Sequence, residues 1–219
     1  REGSTRREGN SRPPNPRVAA AKLANAEDGP SLSGMRIPVP LDHAHRLLNH
    51  GPVTLVGTAR GDERNVMAAA WVMPIDFTPP KFAAVVAADT KTRELLLATG
   101  ECTLMAPTDA MLDVTYAVGT HSGRDGDKFA QYGLAAERGS VVAAPLIAGC
   151  ACWLECKRVP EPHVEQAYDL FVLECVAAWA DDALWQRGEW QFAADGPRTI
   201  HHLKGGLFFR TGDRRQAQR

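Results

Sequence analysis

Apolar positions along the chain fall into short runs broken by Gly, Pro and charged residues, and their period changes part-way along. VTLVGTAR (53–60) and NVMAAAWV (65–72) predict two strands, joined by a polar, Gly-containing hairpin at Gly61-Asp62-Glu63-Arg64. KFAAVVAA (81–88) is a third, buried strand whose start is fixed by Pro79-Pro80. Before these, LDHAHRLLNHG (41–51) reads as a short helix with Asp42 near its start and Gly51 just past its end. After them the period turns helical. TKTRELLLATG (90–100) has Asp89 or Thr90 placed to cap and Gly100 to terminate, ECTLMA (101–106) returns to strand, and TDAMLDVTYAVG (108–119) spaces Met111, Val114 and Val118 as a helix does. Two longer strands follow the polar loop THSGRDGDK, near 146–158 and 168–180. Short strands with inserted helices and no βαβ alternation predict a mainly β fold, an antiparallel barrel with helical excursions.

Residues 1–34 lack any period long enough to bury a face and are rich in Arg, Pro, Gly, Ser and Asn, which predicts a disordered or extended tail. Patterned sequence begins directly after Met35, a candidate natural start behind an upstream extension; the alternative is an arm that docks on a dimer. The division expected is therefore 1–34 tail, 35–212 one domain, and 213–219 a C-terminal tail. With 44% hydrophobic residues in 219, the chain can bury a real core. A formal net charge of -1 provides no field for nucleic acid or an anionic membrane. No apolar run approaches the roughly 20 residues of a membrane span, and no hydrophobic signal core stands at the start. The expected compartment is the cytoplasm.

Five cysteines, an odd number, argue for free thiols. Cys150, Cys152 and Cys156 share one parity on a predicted strand, which sets them side by side on one face as small buried hydrophobes. A metal site would need a fourth ligand and a loop that ICACWLECKR does not suggest. His43, His45, His201 and His202 have no ligand partner at a recognisable spacing and read as surface or packing residues. No GxSxG, GxxxxGK[ST] or strand-linked GxGxxG is present, which removes the main support for hydrolase, NTPase and Rossmann dehydrogenase readings.

Three units carry candidate chemistry. In NVMAAAWVMPIDFTPP, three alanines precede Trp71; small side chains on a strand let a flat ligand reach the backbone, with Trp71 as a wall, although alanines also simply pack under helices. Asp89-Thr90-Lys91-Thr92 sits where strand becomes helix, so unpaired amides, two hydroxyls and an ammonium form a phosphate cradle; the plainer reading is a helix cap beside a solvated Lys. In GTHSGRDGDKF, Ser122, Arg124 and Lys128 are donors suited to phosphate or flavin carbonyls, while Arg124, Asp125, Asp127 and Lys128 suit a self-bracing loop or a subunit bridge equally well.

Taken in order and spacing, NVMAAAWVMPIDFTPP, the segment through DTKTREL, GTHSGRDGDKFAQYGL and APLIAGCACWLEC resemble the flavin reductase-like proteins of the flavoredoxin branch, over about residues 36–210. The resemblance implies an FMN-binding split β-barrel of antiparallel Greek-key type, forming a homodimer with flavin near the subunit interface. It places the flavin ring against Ala69, Ala70 and Trp71 and the strand end Met105-Ala106-Pro107. The phosphate and ribityl chain fall to Thr90, Lys91 and Thr92, with Ser122, Arg124 and Lys128 contributing from the same or the other subunit. Many relatives carry Thr or Ser among the alanines and Asn-Val-Pro in place of Met105-Ala106-Pro107, so the resemblance supplies no side-chain bond to the ring here.

The activity implied is electron transfer from NADH or NADPH to flavin and on to a second acceptor, an acceptor protein or an oxygenase component. No catalytic side chain is nominated, because the cofactor itself takes the hydride. Two rivals stand beside it: an electron carrier with tightly held FMN and no efficient NAD(P)H oxidation, and a dimeric module that has kept the fold and lost flavin. An apolar patch beside the flavin would favour the carrier, and a cleft fitting a nicotinamide over the ring would favour the reductase.

Overall fold

The computed structural model of the protein describes residues 36–218; the expected tail 1–34 and Met35 lie outside the described residues. The strands are β1 (Arg36–Pro38), β2 (Thr54–Arg60), β3 (Glu63–Ala69), β4 (Val72–Phe77), β5 (Pro80–Val85), β6 (Glu101–Pro107), β7 (Ala136–Arg138), β8 (Pro145–Ile147), β9 (Cys150–Val159), β10 (Leu170–Asp181), β11 (Trp185–Gln186), β12 (Glu189–Trp190), β13 (Ile200–Lys204) and β14 (Leu207–Arg210). Between them lie α1 (Leu41–Ala44), α2 (Lys91–Thr99), α3 (Leu112–Thr120), α4 (Lys128–Tyr132) and α5 (Pro162–Tyr168). The expectation of a mainly β chain with helical insertions matches this order.

One sheet runs β3-β2-β6-β9-β10-β5-β4, with β1 beside the far end of β10, and every pairing is antiparallel. The central strands β2, β6 and β9 are buried along almost their whole length, which is why their sequences read as continuous apolar runs instead of alternating ones. One face carries Val56, Leu104, Leu154 and Ala178 into the larger core with Leu47, Leu48, Phe82 and Phe171. The other face carries Leu55, Met105 and Trp153 into a second core, closed by Val118 of α3, Phe129 of α4, and Leu146 and Ile147 of β8.

Local signals set α2 well. Thr90 Oγ1 accepts from the Arg93 amide at 3.2 Å, and Gly100 ends the helix in the left-handed conformation. Leu95 and Leu96 are fully buried beneath it. The predicted helix over 41–51 is shorter, α1 followed by a 3-10 turn at His45–Leu47. The predicted strand 65–72 ends at Ala69 instead, and β4 begins after a bend at Ala70-Trp71.

The cysteine row needs correction. Between Ala106 and Pro107 the register shifts, so Ala106 pairs with Cys152 while Pro107 pairs with Cys150. That irregularity turns Cys150 into the second core, while Cys152 and Cys156 remain in the first. Strict alternation across 150–156 fails because a bulge adds one residue to the count. Cys156 instead lies between Cys102 and Cys175 as direct cross-strand partners, and all five thiols are free and buried. Among the described residues no three His, Cys, Asp or Glu side chains stand close enough to hold a metal ion, and no helix is long and apolar enough to cross a membrane.

Candidate functional site

β3 is the outer strand at one end of the sheet, and its two ends differ in chemistry. At its C-terminal end Ala68, Ala69 and Ala70 line a cavity of about 270 Å³, with Thr115, Tyr116, Gly119 and Thr120 of α3 opposite. The helix comes this close because residue 119 has no side chain: a Cβ there would sit 3.1 Å from the Ala68 Cβ. Glycine on the helix thus lets α3 pack directly on Ala68, and the small side chains of Ala69 and Ala70 leave the cavity open beside that contact. The remaining wall is the β13–β14 hairpin, which brings His202, Gly205 and Phe208. Phe208 packs edge-on against Tyr116 at 6.4 Å between centroids and against His202 at 5.2 Å. Thr115 is fully buried, and its Oγ1 has no hydrogen-bond partner.

The N-terminal end of β3 is charged. Lys91 Nζ lies 2.5 Å from Glu63 and 3.2 Å from Glu94, and Arg124 reaches Glu94 at 2.8 Å. Arg60 pairs with Glu63 at 2.9 Å and lies 3.7 Å from Glu94. Three cations thus face two carboxylates, a local excess of one positive charge. Hydrogen bonding to Glu63, then to Glu94, raises the Lys91 pKa, and Lys91 in turn is the largest cause lowering both carboxylates. Buried Asn65 donates to Thr92 at 2.9 Å. The loop before α4 packs on that pair through Gly123, where a Cβ would fall 2.1 Å from Asn65 Oδ1. Thr90, Lys91, Thr92, Ser122 and Arg124 are therefore gathered at one end of β3, about 20 Å long at roughly 3.3 Å per residue.

Other expected site residues are placed differently. Lys128 is 4% exposed, and its ammonium donates to the Val66 carbonyl at 2.9 Å and the Val118 carbonyl at 2.7 Å. Burial pushes its pKa down to about 8. It braces the β3 edge to α3, instead of standing free among the cations. Met105, Ala106 and Pro107 are buried in β6, two strands from β3, and do not line the cavity. Trp71 is 72% exposed and begins a row with Met73, Ile75 and Phe77, all exposed, along the outer strand β4. Ser122 Oγ accepts from the Arg124 amide at 3.1 Å, an internal turn of the loop.

The sequence reading passes over the α3 and hairpin walls. His202 is a surface residue packed on Phe208, as expected, and from there it also lines the cavity with Tyr116. Gly205-Gly206 between apolar runs was an available hairpin signal. The hairpin is rooted by Arg198, buried, which donates to the carbonyls of Ala193 and Gly212, at 3.0 and 2.7 Å, and to Asp213 at 3.2 Å. Residues 211–213, in part assigned to a tail, are thereby tied to the domain.

Residues 46–194 match the flavin reductase like domain, about two thirds of the chain. The chain belongs to the flavin reductase-like family. It is 44% identical over 181 residues to the uncharacterized protein YddH of Escherichia coli (strain K12), covering 81% of this chain and 96% of that one. Its fold superimposes on an FMN-binding domain of a flavin reductases-like enzyme from Shewanella baltica OS155, with a TM-score of 0.81, 39% identity, and coverage of 84% and 98%. Flavoredoxin of Desulfovibrio vulgaris (Miyazaki F) follows with a TM-score of 0.67, 25% identity, and coverage of 76% and 90%. The expected split-barrel fold of this family is the fold observed. In this flavin reductase-like chain the cavity straddles the matched segment: the alanines and α3 lie inside 46–194, and the β13–β14 hairpin lies beyond it.

Proposed function

We propose that this protein binds FMN along β3 and passes electrons from NADH or NADPH through the flavin to a second acceptor. One observation carries the reading: a single strand joins a neutral, flat-walled cavity to a cluster of cations and hydroxyls, the two surfaces that a flavin ring and its phosphate require. The donor set fits the group. Lys91 and Arg124, with Thr90 at the start of α2, would hold the phosphate, while Ala69 and Ala70 would support the ring without a side chain in its way; Thr92, fully buried against Asn65, steadies that helix start instead. FMN-binding relatives support this assignment.

The bound flavin would supply the two-electron chemistry, accepting a hydride and releasing electrons singly or in pairs. The chain's own work is positional. Gly119 lets α3 close on the alanines, Tyr116 and Phe208 keep water from that end, and Arg124 must exchange part of its bond with Glu94 for the phosphate. No side chain is required to move a proton at the reacting atom.

The exposed row Trp71, Met73, Ile75 and Phe77 beside the alanine end favours a second reading, a carrier that meets protein partners there. An absorbance spectrum with FMN, followed by anaerobic NADH or NADPH, tests both. Bound flavin that bleaches within seconds supports the reductase and names the donor. Bound flavin that stays yellow supports the carrier, and no bound flavin removes the proposal.

A further inference from the structure

We infer that Glu63 and Glu94 act as a built-in substitute for the flavin phosphate, so that FMN enters and leaves as an exchanging substrate instead of staying as a fixed group. The inference rests on the flavin reading and names what regulates the phosphate end of that site.

Three observations carry it. All four oxygens of the two carboxylates are already engaged by the cations of this end: Lys91 bonds Glu63 Oε1 at 2.5 Å and Glu94 Oε1 at 3.2 Å, Arg60 bonds Glu63 Oε2 at 2.9 Å, and Arg124 bonds Glu94 Oε2 at 2.8 Å. The charge balance comes second. Three cations and two carboxylates leave one positive charge. A flavin phosphate, carrying about -1.5 to -2 at pH 7, turns that excess into a deficit unless a carboxylate swings away. Third, the pairs are open to water: the side chains of Glu63 and Glu94 are 39% and 36% exposed, and those of Arg60 and Arg124 are 51% and 52% exposed. Such pairs are individually weak, and water receives whichever anion is displaced.

A buried pair elsewhere in the chain shows the alternative. Arg158 donates through two nitrogens to Glu165, at 2.8 and 2.5 Å, and the Glu165 side chain is only 5% exposed. No anion could replace Glu165 without leaving a buried charge alone. At the charged end of β3 neither state leaves one. With phosphate present the carboxylates turn to solvent, and after release they return to Lys91, Arg60 and Arg124. Lys91, the most enclosed of these cations at 14% exposure, bonds both carboxylates in the empty site. This competition lowers what the phosphate contributes to affinity, and affinity lost in this way appears chiefly as faster release.

Recovery of free-flavin fluorescence after dilution of the FMN-loaded full chain measures release. The native chain should release FMN with a half-time under about a minute and lose it on gel filtration. Glu63→Gln and Glu94→Gln, each keeping the size of an exposed side chain, should slow FMN release about threefold singly and about tenfold together. Riboflavin, which has no phosphate, should leave every variant within about twofold of the native rate. FMN that stays on the native chain through gel filtration, a double variant that releases it as fast as the native chain, or riboflavin slowed as much as FMN would overturn the inference. Inorganic phosphate titrated into the flavin-free chain and followed by phosphorus NMR puts the same question without flavin. The double variant should bind it about tenfold more tightly than the native chain, and no gain in that variant would overturn the carboxylates' role. Failure of both FMN and riboflavin to bind any of these chains would instead remove the flavin reading, so the two fail by different results.

Discussion

The two ends of β3 solve opposite problems with the same backbone. The alanine end is preformed: α3 packs on Ala68 through Gly119, and the cavity beside that contact has no charged group among its lining residues. The charged end is self-occupied, because Lys91 and Arg124 already bond Glu94 and Glu63. A ring can enter the first by displacing water, whereas a phosphate enters the second only in competition with carboxylates. Shape therefore dominates recognition at one end and net charge at the other, and each should fail under a different perturbation.

The largest expected effect sharpens the boundary between these ends. Lys128→Met should lower stability by roughly 2–4 kcal/mol in urea unfolding, since it leaves the Val66 and Val118 carbonyls buried without a donor. If Lys128 is a brace, the ratio of FMN to riboflavin affinity in the folded variant stays near the native value. A ratio that collapses would return Lys128 to the charged end.

Next in size is a pH effect confined to the hairpin side of the neutral end. His201 Nδ1 lies 3.0 Å from the Gly51 carbonyl, which can only accept. With His201 neutral, Thr211 donates to its Nε2 at 2.9 Å, Thr199 to Thr211 at 2.7 Å, and His50 Nε2 to Thr199 at 2.7 Å. His50 Nδ1 is left buried without a partner, and burial, then nearby His201, lowers the His50 pKa to about 4. Unfolded, the same residue titrates near 6.5, so between those values the unfolded chain binds more protons and stability falls as pH drops. The loss from this group approaches about 3 kcal/mol by pH 4. Chemical denaturation at pH 7 and pH 4.5 should show it, and His50→Gln should flatten the slope.

Smaller changes separate phosphate from ring. Arg124→Ala is expected to weaken FMN about fivefold and riboflavin hardly at all, because riboflavin has no phosphate. Glu94→Gln should tighten FMN about threefold at low salt, with the gain fading toward 1 M salt as screening removes it. Fluorescence-quenching titrations read both, and a parallel change for riboflavin would erase the distinction between the ends.

How much of this was legible in the sequence follows from the range of each signal. The cap at Thr90, the stop at Gly100 and the gathering of Thr90, Lys91 and Thr92 at a helix start are decided within a few residues, so they read directly. The break at Ala70-Trp71 was not legible in that way, since neither Gly nor Pro marks it; alternation of Trp71, Met73, Ile75 and Phe77 was the trace of β4. The offset of Cys150 depends on a bulge between β6 and β9, a register fact no single strand contains. Phe208 against Tyr116 joins residues about ninety apart, and their meeting becomes visible only once the sheet has closed. Lys128 read equally well as a donor to a ligand and as a brace, because sequence gives charge but not burial.

The claim that the ring lies at the alanine end is tested most directly by titrating Ala70→Leu with FMN and with riboflavin. Ala70 is exposed and lines the cavity, so the added side chain should leave the core intact while filling the ring's place. The account predicts that both flavins weaken together, by about tenfold or more. Unchanged affinity for both would contradict it and move the ring away from β3.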